Sequence, residues 1–246
     1  MVEPIPDVPA ATATTAGERL LVVADYHAGL EVALRRDGVE LQSAAAERRQ
    51  RLLGIVTETR PDRVVALGDI GNALGTPSDE EKRELRALFD AVTELCPLVV
   101  VKGNHDGDIE TVAADSEGVT VTGGDGTRIG DIGFAHGHTW PSASVLSAET
   151  LCVAHEHPQV RLEDEVGGAR TERAWLRGGV NPDAFTAQSL AAEATQLVVF
   201  PAFNDRVGGT WVNENDAFLA PFLPEALADG EAYLLDGTRL GRYDRL

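Results

Sequence analysis

The chain is short of lysine, cysteine, aromatic residues and long apolar runs, and each shortage removes a class of explanation. Lys82 and Lys102 are the only lysines; with 40 Asp and Glu against 21 Lys and Arg, the 246 residues carry a formal net charge of −19. Such a surface repels a phosphate backbone at low salt. The acidity is spread along the chain and forms no tail, which suggests halophilic adaptation to a high-salt cytoplasm, where salt screens the repulsion within a few ångströms. Cys96 and Cys152 are the two cysteines, each in or beside an apolar run. They read as reduced core thiols, against a disulfide scaffold, and are too few to hold zinc alone. No stretch approaches the ~20 apolar residues that span a bilayer, and the N-terminus lacks the basic-then-apolar order of a signal peptide. The expectation is a cytoplasmic protein with no membrane partner. No aromatic residues interleave with Arg48, Arg49 and Arg51, so this cluster reads as a solvated helix face and not as a base-stacking strip.

What the chain does have is 43 % hydrophobic residues, enough to bury a full core. Residues 1–17, rich in Pro, Ala and Thr, read as a loosely ordered lead-in, and residues 18–246 as a single domain. The apolar runs 20–24, 63–67 and 98–101 have the character of strands covered on both faces. Helical segments lie between them, over 43–58 and after Ser78, where Ser78 and Glu81 make a capping box. Strand, helix, strand, helix, strand is the grammar of right-handed βαβ units. From about residue 119 short strands punctuated by Gly and Asp take over, predicting a mostly antiparallel sheet that packs on the first.

Polar residues gather where the apolar runs stop. The runs end in Asp25-Tyr26-His27, Gly68-Asp69, Gly103-Asn104-His105-Asp106, His136-Gly137-His138 and His155-Glu156-His157, and these clusters contain all six histidines. In open α/β sheets, sites form beyond the carboxyl ends of strands, so the five loops can converge on one edge. Imidazoles, carboxylates and an amide oxygen without thiolates suit Mn²⁺, Fe²⁺ or Zn²⁺. About seven donors exceed the needs of one tetrahedral ion, and two ions are a recurring device for splitting phosphate esters. Along an extended segment, His155 and His157 would point to the same side.

In order and spacing, these clusters resemble the signature motifs of the calcineurin-like metallophosphoesterases. The resemblance implies an α/β fold in which two packed mixed β-sheets are flanked by helices in four layers, αββα. It implies that Asp25, His27 and His157 hold one metal and Asn104, His136 and His155 a second, with Asp69 bridging. His105 would stand near the leaving group and Asp106 would orient its imidazole. The two divalent ions, Mn first and Fe or Zn as alternatives, would serve a two-metal hydroxide mechanism. The segments at 155–160 and 200–209 resemble a narrower archaeal group related to the SbcD repair nuclease, which implies a DNA-repair partner. The substrate implied is a phosphodiester of single-stranded or short nucleic acid, or of a nucleotide. A phosphomonoesterase, a cyclic-nucleotide phosphodiesterase and a non-catalytic protein-binding scaffold are the alternatives. Asn72 would support its loop, His138 is open between phosphate contact and loop residue, and Asn204 reads as a loop residue first. Where the family pattern has glycine before its last His-x-His, this chain has Ala154.

Overall fold

The computed structural model describes residues 1–164, 167–214 and 218–246. The first sheet consists of β1 (Val2–Pro4), β2 (Ala10–Thr15), β3 (Glu18–Val23), β4 (Arg63–Leu67), β5 (Leu98–Val101) and β6 (Val119–Thr122), paired in that order, and the Val and Leu runs of β3, β4 and β5 are buried on both faces. Strands β3 to β6 are parallel and β1 to β3 antiparallel. Residues 1–17 are therefore not a loose lead-in. Their small residues Ala10, Ala11 and Ala13 are buried at the sheet, and β2 pairs with β3 along its whole length from Ala10↔Val23 to Thr15↔Glu18. Alternating Thr and Ala at low hydropathy disguised an edge hairpin whose alanines fit between close-packed layers.

The second sheet contains β7 (Thr127–Ile129), β8 (Ile132–Ala135), β9 (Thr150–Val153), β10 (Gln159–Glu163), β11 (Ala169–Val180), β12 (Gln196–Val199), β13 (Leu227–Leu234) and β14 (Arg239–Arg242). Its order is β14-β13-β11-β12-β9-β8-β7, with β10 beside β11. The predicted mostly antiparallel sheet is mixed, because β8, β9 and β12 run parallel. Helices α1 (Leu30–Arg36), α2 (Ala45–Thr59), α3 (Asp79–Thr93), α4 (Ile109–Ala113) and the short α5 (Ala143–Leu146) complete the α/β fold.

Alternation along the strands sorts side chains between two cores. From β4, Val64 and Ala66 face α2 and α3, whereas Val65 and Leu67 enter the layer between the sheets with Phe134, Trp175 and Phe200. Cys152 lies in this inter-sheet layer, where burial pushes its thiol pKa up, and both cysteines are free. The outer face of the second sheet is covered by α5 and by Phe185, Phe222 and Leu223. Among the described residues, no helix is long and apolar enough to cross a membrane.

Arg48 is also not part of a solvated face. It is 5 % exposed, donates to Glu31 at 3.0 and 3.2 Å and to Glu84 at 2.7 Å, and so ties α2 to α1 and α3. Arg51 stacks over Phe203, its guanidinium carbon 4.2 Å from the ring centroid.

Candidate metal centre

The carboxyl ends of β3, β4 and β5 in one sheet and of β8 and β9 in the other meet at one edge of the inter-sheet layer, and each delivers one polar cluster there. Two groups of side chains come together. Asp25, His27, Asp69 and His157 form one and Asp69, His136 and His155 the other, with candidate ligand atoms within 4.8 Å of one another in each. Asn104 joins the second through its Oδ1, 3.2 Å from His136 Nε2. Asp69 belongs to both groups, and its Oδ2 lies 3.3 Å from His136 Nε2 and 3.8 Å from His27 Nε2.

Two glycines make this convergence possible. A β-carbon on Gly103 would collide with the Asp69 carboxylate and backbone nitrogen, and one on Gly68, at φ 78°, would collide with the His136 ring. The ligand-bearing turns are tight enough that Asp25, His27, Asp69, His155 and His157 all have positive φ, between 44° and 72°. The segment after β9 is thus not extended. His155 and His157 reach different groups through left-handed turns, with Glu156 N donating to Ala154 O at 2.8 Å. Ala154 itself has no positive φ, is fully buried between the sheets, and donates to His136 O at 2.8 Å, so the methyl in place of glycine is accommodated.

The second ring nitrogens decide which tautomers are present. Nδ1 of His136 lies 3.2 Å from Leu67 O, Nδ1 of His157 2.8 Å from Gly208 O, and Nδ1 of His27 3.2 Å from Asn72 Oδ1. A carbonyl oxygen can only accept, so each Nδ1 carries the proton, and a ring in its neutral form turns an Nε2 lone pair inward. The Nε2 atoms of His27 and His157 face each other at 3.4 Å. Asp25 is fully buried, and its Oδ1 lies 3.3 Å from His157 Nε2 and 3.7 Å from His136 Nδ1. Imidazole nitrogens and buried carboxylates gathered this closely suit a bound cation.

The electrostatics agree. Burial pushes the pKa values of His27 and His155 down to about 4, which keeps them neutral. Burial acts the same way on His136, but the Asp69 and Asp25 carboxylates outweigh it and raise its pKa to about 9, so the site favours positive charge at this point. Burial, reinforced by the Asp69 charge, raises Asp106 to about 6.

Asp106 does not orient His105. Its oxygens accept from Gly71 N and Gly103 N, both at 2.8 Å, and thereby tie the loops after β4 and β5 together. The His105 imidazole is instead held by Asn72 O, which accepts from Nδ1 at 2.8 Å. Asn72 supports both His27 and His105, and is placed in turn by Glu81, whose Oε1 accepts from Asn72 N and Ala73 N at 2.7 and 3.0 Å. Ser78 caps α3 as expected, but Glu81 serves this loop. His138 lies beside the second group, 5.3 Å from His136 between ring centroids, with its buried Nδ1 unpartnered.

Two contributors were not legible as site residues. Asn204 is buried; it donates to Tyr26 O at 3.2 Å, and its backbone N donates to Asp25 O at 3.2 Å, clamping the end of β3. Glu156 is fully buried and accepts from Leu219 N at 2.9 Å, Ala220 N at 2.7 Å and Thr210 Oγ1 at 3.1 Å. Polarity at the end of a sixth strand hinted at Asn204, whereas nothing local in the sequence hints at the distant partners of Glu156.

The centre opens into a cleft of about 330 Å³, lined by His105, His155, His157, Gly209 and Thr210 among others, with no Lys or Arg among the described lining residues. A Pseudomonas putida nuclease, MPE, shares the fold, with a TM-score of 0.58 and 17 % identity over 96 % of this chain and 98 % of that one. Escherichia coli Yfce, a phosphoesterase, aligns with a TM-score of 0.41 and 14 % identity over 90 % of this chain and 96 % of that one. No curated protein is significantly similar in sequence. The sequence model of the calcineurin-like phosphoesterases, however, matches residues 18–219, the span that contains all five clusters, and the chain belongs to that family.

Proposed function

We propose that the protein is a two-metal phosphodiesterase acting on nucleotide or short nucleic-acid diesters. The observation that carries the reading is the convergence of imidazole nitrogens and buried carboxylates in two groups that share Asp69. Asp25, His27 and His157 would hold one divalent ion, Asn104, His136 and His155 the other, and Asp69 both, since a carboxylate has an oxygen for each. Bound there, the ions would supply a nucleophilic hydroxide near neutral pH and offset charge on the phosphoryl oxygens. Nitrogen and oxygen donors suit Mn²⁺ first, then Fe²⁺ or Zn²⁺.

The protein's own part is to position groups and move a proton. As an imidazolium, His105 keeps Nδ1–H on Asn72 O and presents Nε2–H to the leaving-group oxygen. Asp106 keeps the two loops at the spacing this needs. A cleft without Lys or Arg favours a diester, which carries one negative charge, over a monoester dianion. A nuclease has the same fold, which makes nucleic acid the first polymer to test. The acidic surface suits a high-salt cytoplasm, and kinship with the SbcD-related group would add a DNA-repair partner.

The test compares wild type with His105→Ala on bis-p-nitrophenyl phosphate and a single-stranded oligonucleotide, with Mn²⁺ at high salt. Removing a general acid costs roughly 10²–10⁴ in rate. Equal turnover by both proteins would refute the role of His105. Absence of metal-dependent turnover by wild type would instead favour a binding scaffold.

A further inference from the structure

One wall of the cleft comes from a distant part of the chain and is built in an unusual way. Leu219 lines the cleft and is 60 % exposed, although its backbone is among the most firmly held near the site. Its N–H reaches both oxygens of the buried Glu156 carboxylate, at 2.9 and 3.0 Å, and the next N–H, of Ala220, reaches the same group at 2.7 Å. The residues on either side turn inward: Phe218 packs against the core of the second sheet, and Ala220 is buried in it. A large apolar side chain left in water on a fixed backbone, beside a phosphoester centre, is a preformed contact surface. The same carboxylate accepts from Thr210 Oγ1 at 3.1 Å, so the neighbouring part of the wall shares its anchor.

We propose that Leu219 is a specificity-determining residue, forming an apolar subsite for the organic substituent of a phosphodiester, and that Glu156 is its positioning residue. This rests on the phosphodiesterase reading. A monoester offers phosphate to the metal centre and one organic group to the leaving side. A diester carries a second organic group, which needs an apolar surface and no cationic partner, and the cleft offers that combination. Glu156 acts indirectly, by fixing where the Leu219 side chain stands relative to His155 and His157.

The experiment measures kcat and KM of Mn²⁺-loaded wild type, Leu219→Ala, Leu219→Met and Glu156→Gln on bis-p-nitrophenyl phosphate and on p-nitrophenyl phosphate. Because Leu219 is exposed, truncating it leaves the fold intact. Losing its contact should lower kcat/KM for the diester about five- to tenfold, mainly through KM, and leave the monoester within about twofold. Leu219→Met, similar in volume, should restore the diester to within about twofold of wild type. Glu156→Gln turns an amide N–H₂ toward N–H donors and should reproduce the diester loss in protein whose circular dichroism is unchanged. Equal effects of Leu219→Ala on both substrates, or no effect on either, would overturn the subsite while leaving the phosphodiesterase reading intact. A wild type inactive on both substrates would instead remove that reading itself.

Discussion

Replacing Asp106 by Asn separates two roles that its sequence position allows. A residue that orients His105 would, when changed, lower kcat and leave stability and metal binding alone. The structure gives the opposite expectation. The Asp106 carboxylate is 1 % exposed and accepts one hydrogen bond from Gly71 N and one from Gly103 N, each 2.8 Å long. Asn keeps one acceptor oxygen and places an N–H₂ against the other donor, leaving a buried backbone N–H unsatisfied. Hydrogen bonds to charged groups contribute about 1.5–3 kcal/mol, and an orphaned buried donor costs about 1–3 kcal/mol. A loss of roughly 2–4 kcal/mol follows, and at about 2–4 °C per kcal/mol for a chain of this size the Tm should fall by about 5–15 °C. Gly103 packs directly on Asp69, so the same change should weaken Mn²⁺ binding. Differential scanning calorimetry of metal-free protein and a Mn²⁺ titration by calorimetry provide the readouts. A Tm within about 2 °C of wild type, with normal Mn²⁺ affinity and reduced kcat, would refute the loop-tying role.

Mn²⁺ itself should stabilise the fold: one site held at 100 times its Kd adds about 2.7 kcal/mol, so chelation by EDTA should lower the Tm by several degrees. Asp25→Asn, which removes a carboxylate from the first group, should abolish most of that increment; a Mn²⁺-dependent rise in Tm equal to that of wild type would count against the cation-site reading. Away from the site, Arg48→Met should cost up to about 3–5 kcal/mol at neutral pH, because Glu84 loses its ion-pair partner and Glu31 keeps only Arg206. Burial alone would raise the Glu31 pKa, but the Arg48 guanidinium holds it below its usual value. A carboxyl depressed in the fold contributes stability above its unfolded pKa and loses it as pH falls through the folded one. The gap between wild type and Arg48→Met in urea midpoint should therefore narrow in acid, and a gap that widens would reverse the assignment.

The parts of the molecule governed by local chemistry were legible. Runs such as 63–67, uniformly apolar, announce strands covered on both faces, and Ser78 announces the start of α3. The five polar clusters announced themselves because they take up every histidine. What stayed hidden depends on partners far along the chain. Ala11 and Ala13 look like a loose, low-hydropathy tract until a second sheet closes over them. Arg48 looks solvent-exposed until α1 and α3 bring Glu31 and Glu84 to it. Asp106 adjoins His105 in sequence, but both of its oxygens are taken by backbone from two loops, and adjacency carries no information about that.

The backbone at the centre explains why the sequence pattern predicts which residues meet but not how they get there. Strand alternation would have presented His155 and His157 on one side of an extended chain. The observed chain bends after β9, and both residues, like Asp25, His27 and Asp69, sit in the left-handed region. Asp and His tolerate that region better than most side chains, yet each such residue still holds on the order of 1 kcal/mol of strain. Five of them within one site concentrate several such strained turns there. The arrangement persists because the sheets below are fully packed and because Gly68 and Gly103 leave no slack for the turns to relax. Ligand positions fixed in this way would need little reorganisation to bind cations. The fold's stability is thereby converted into affinity and into fixed ligand positions.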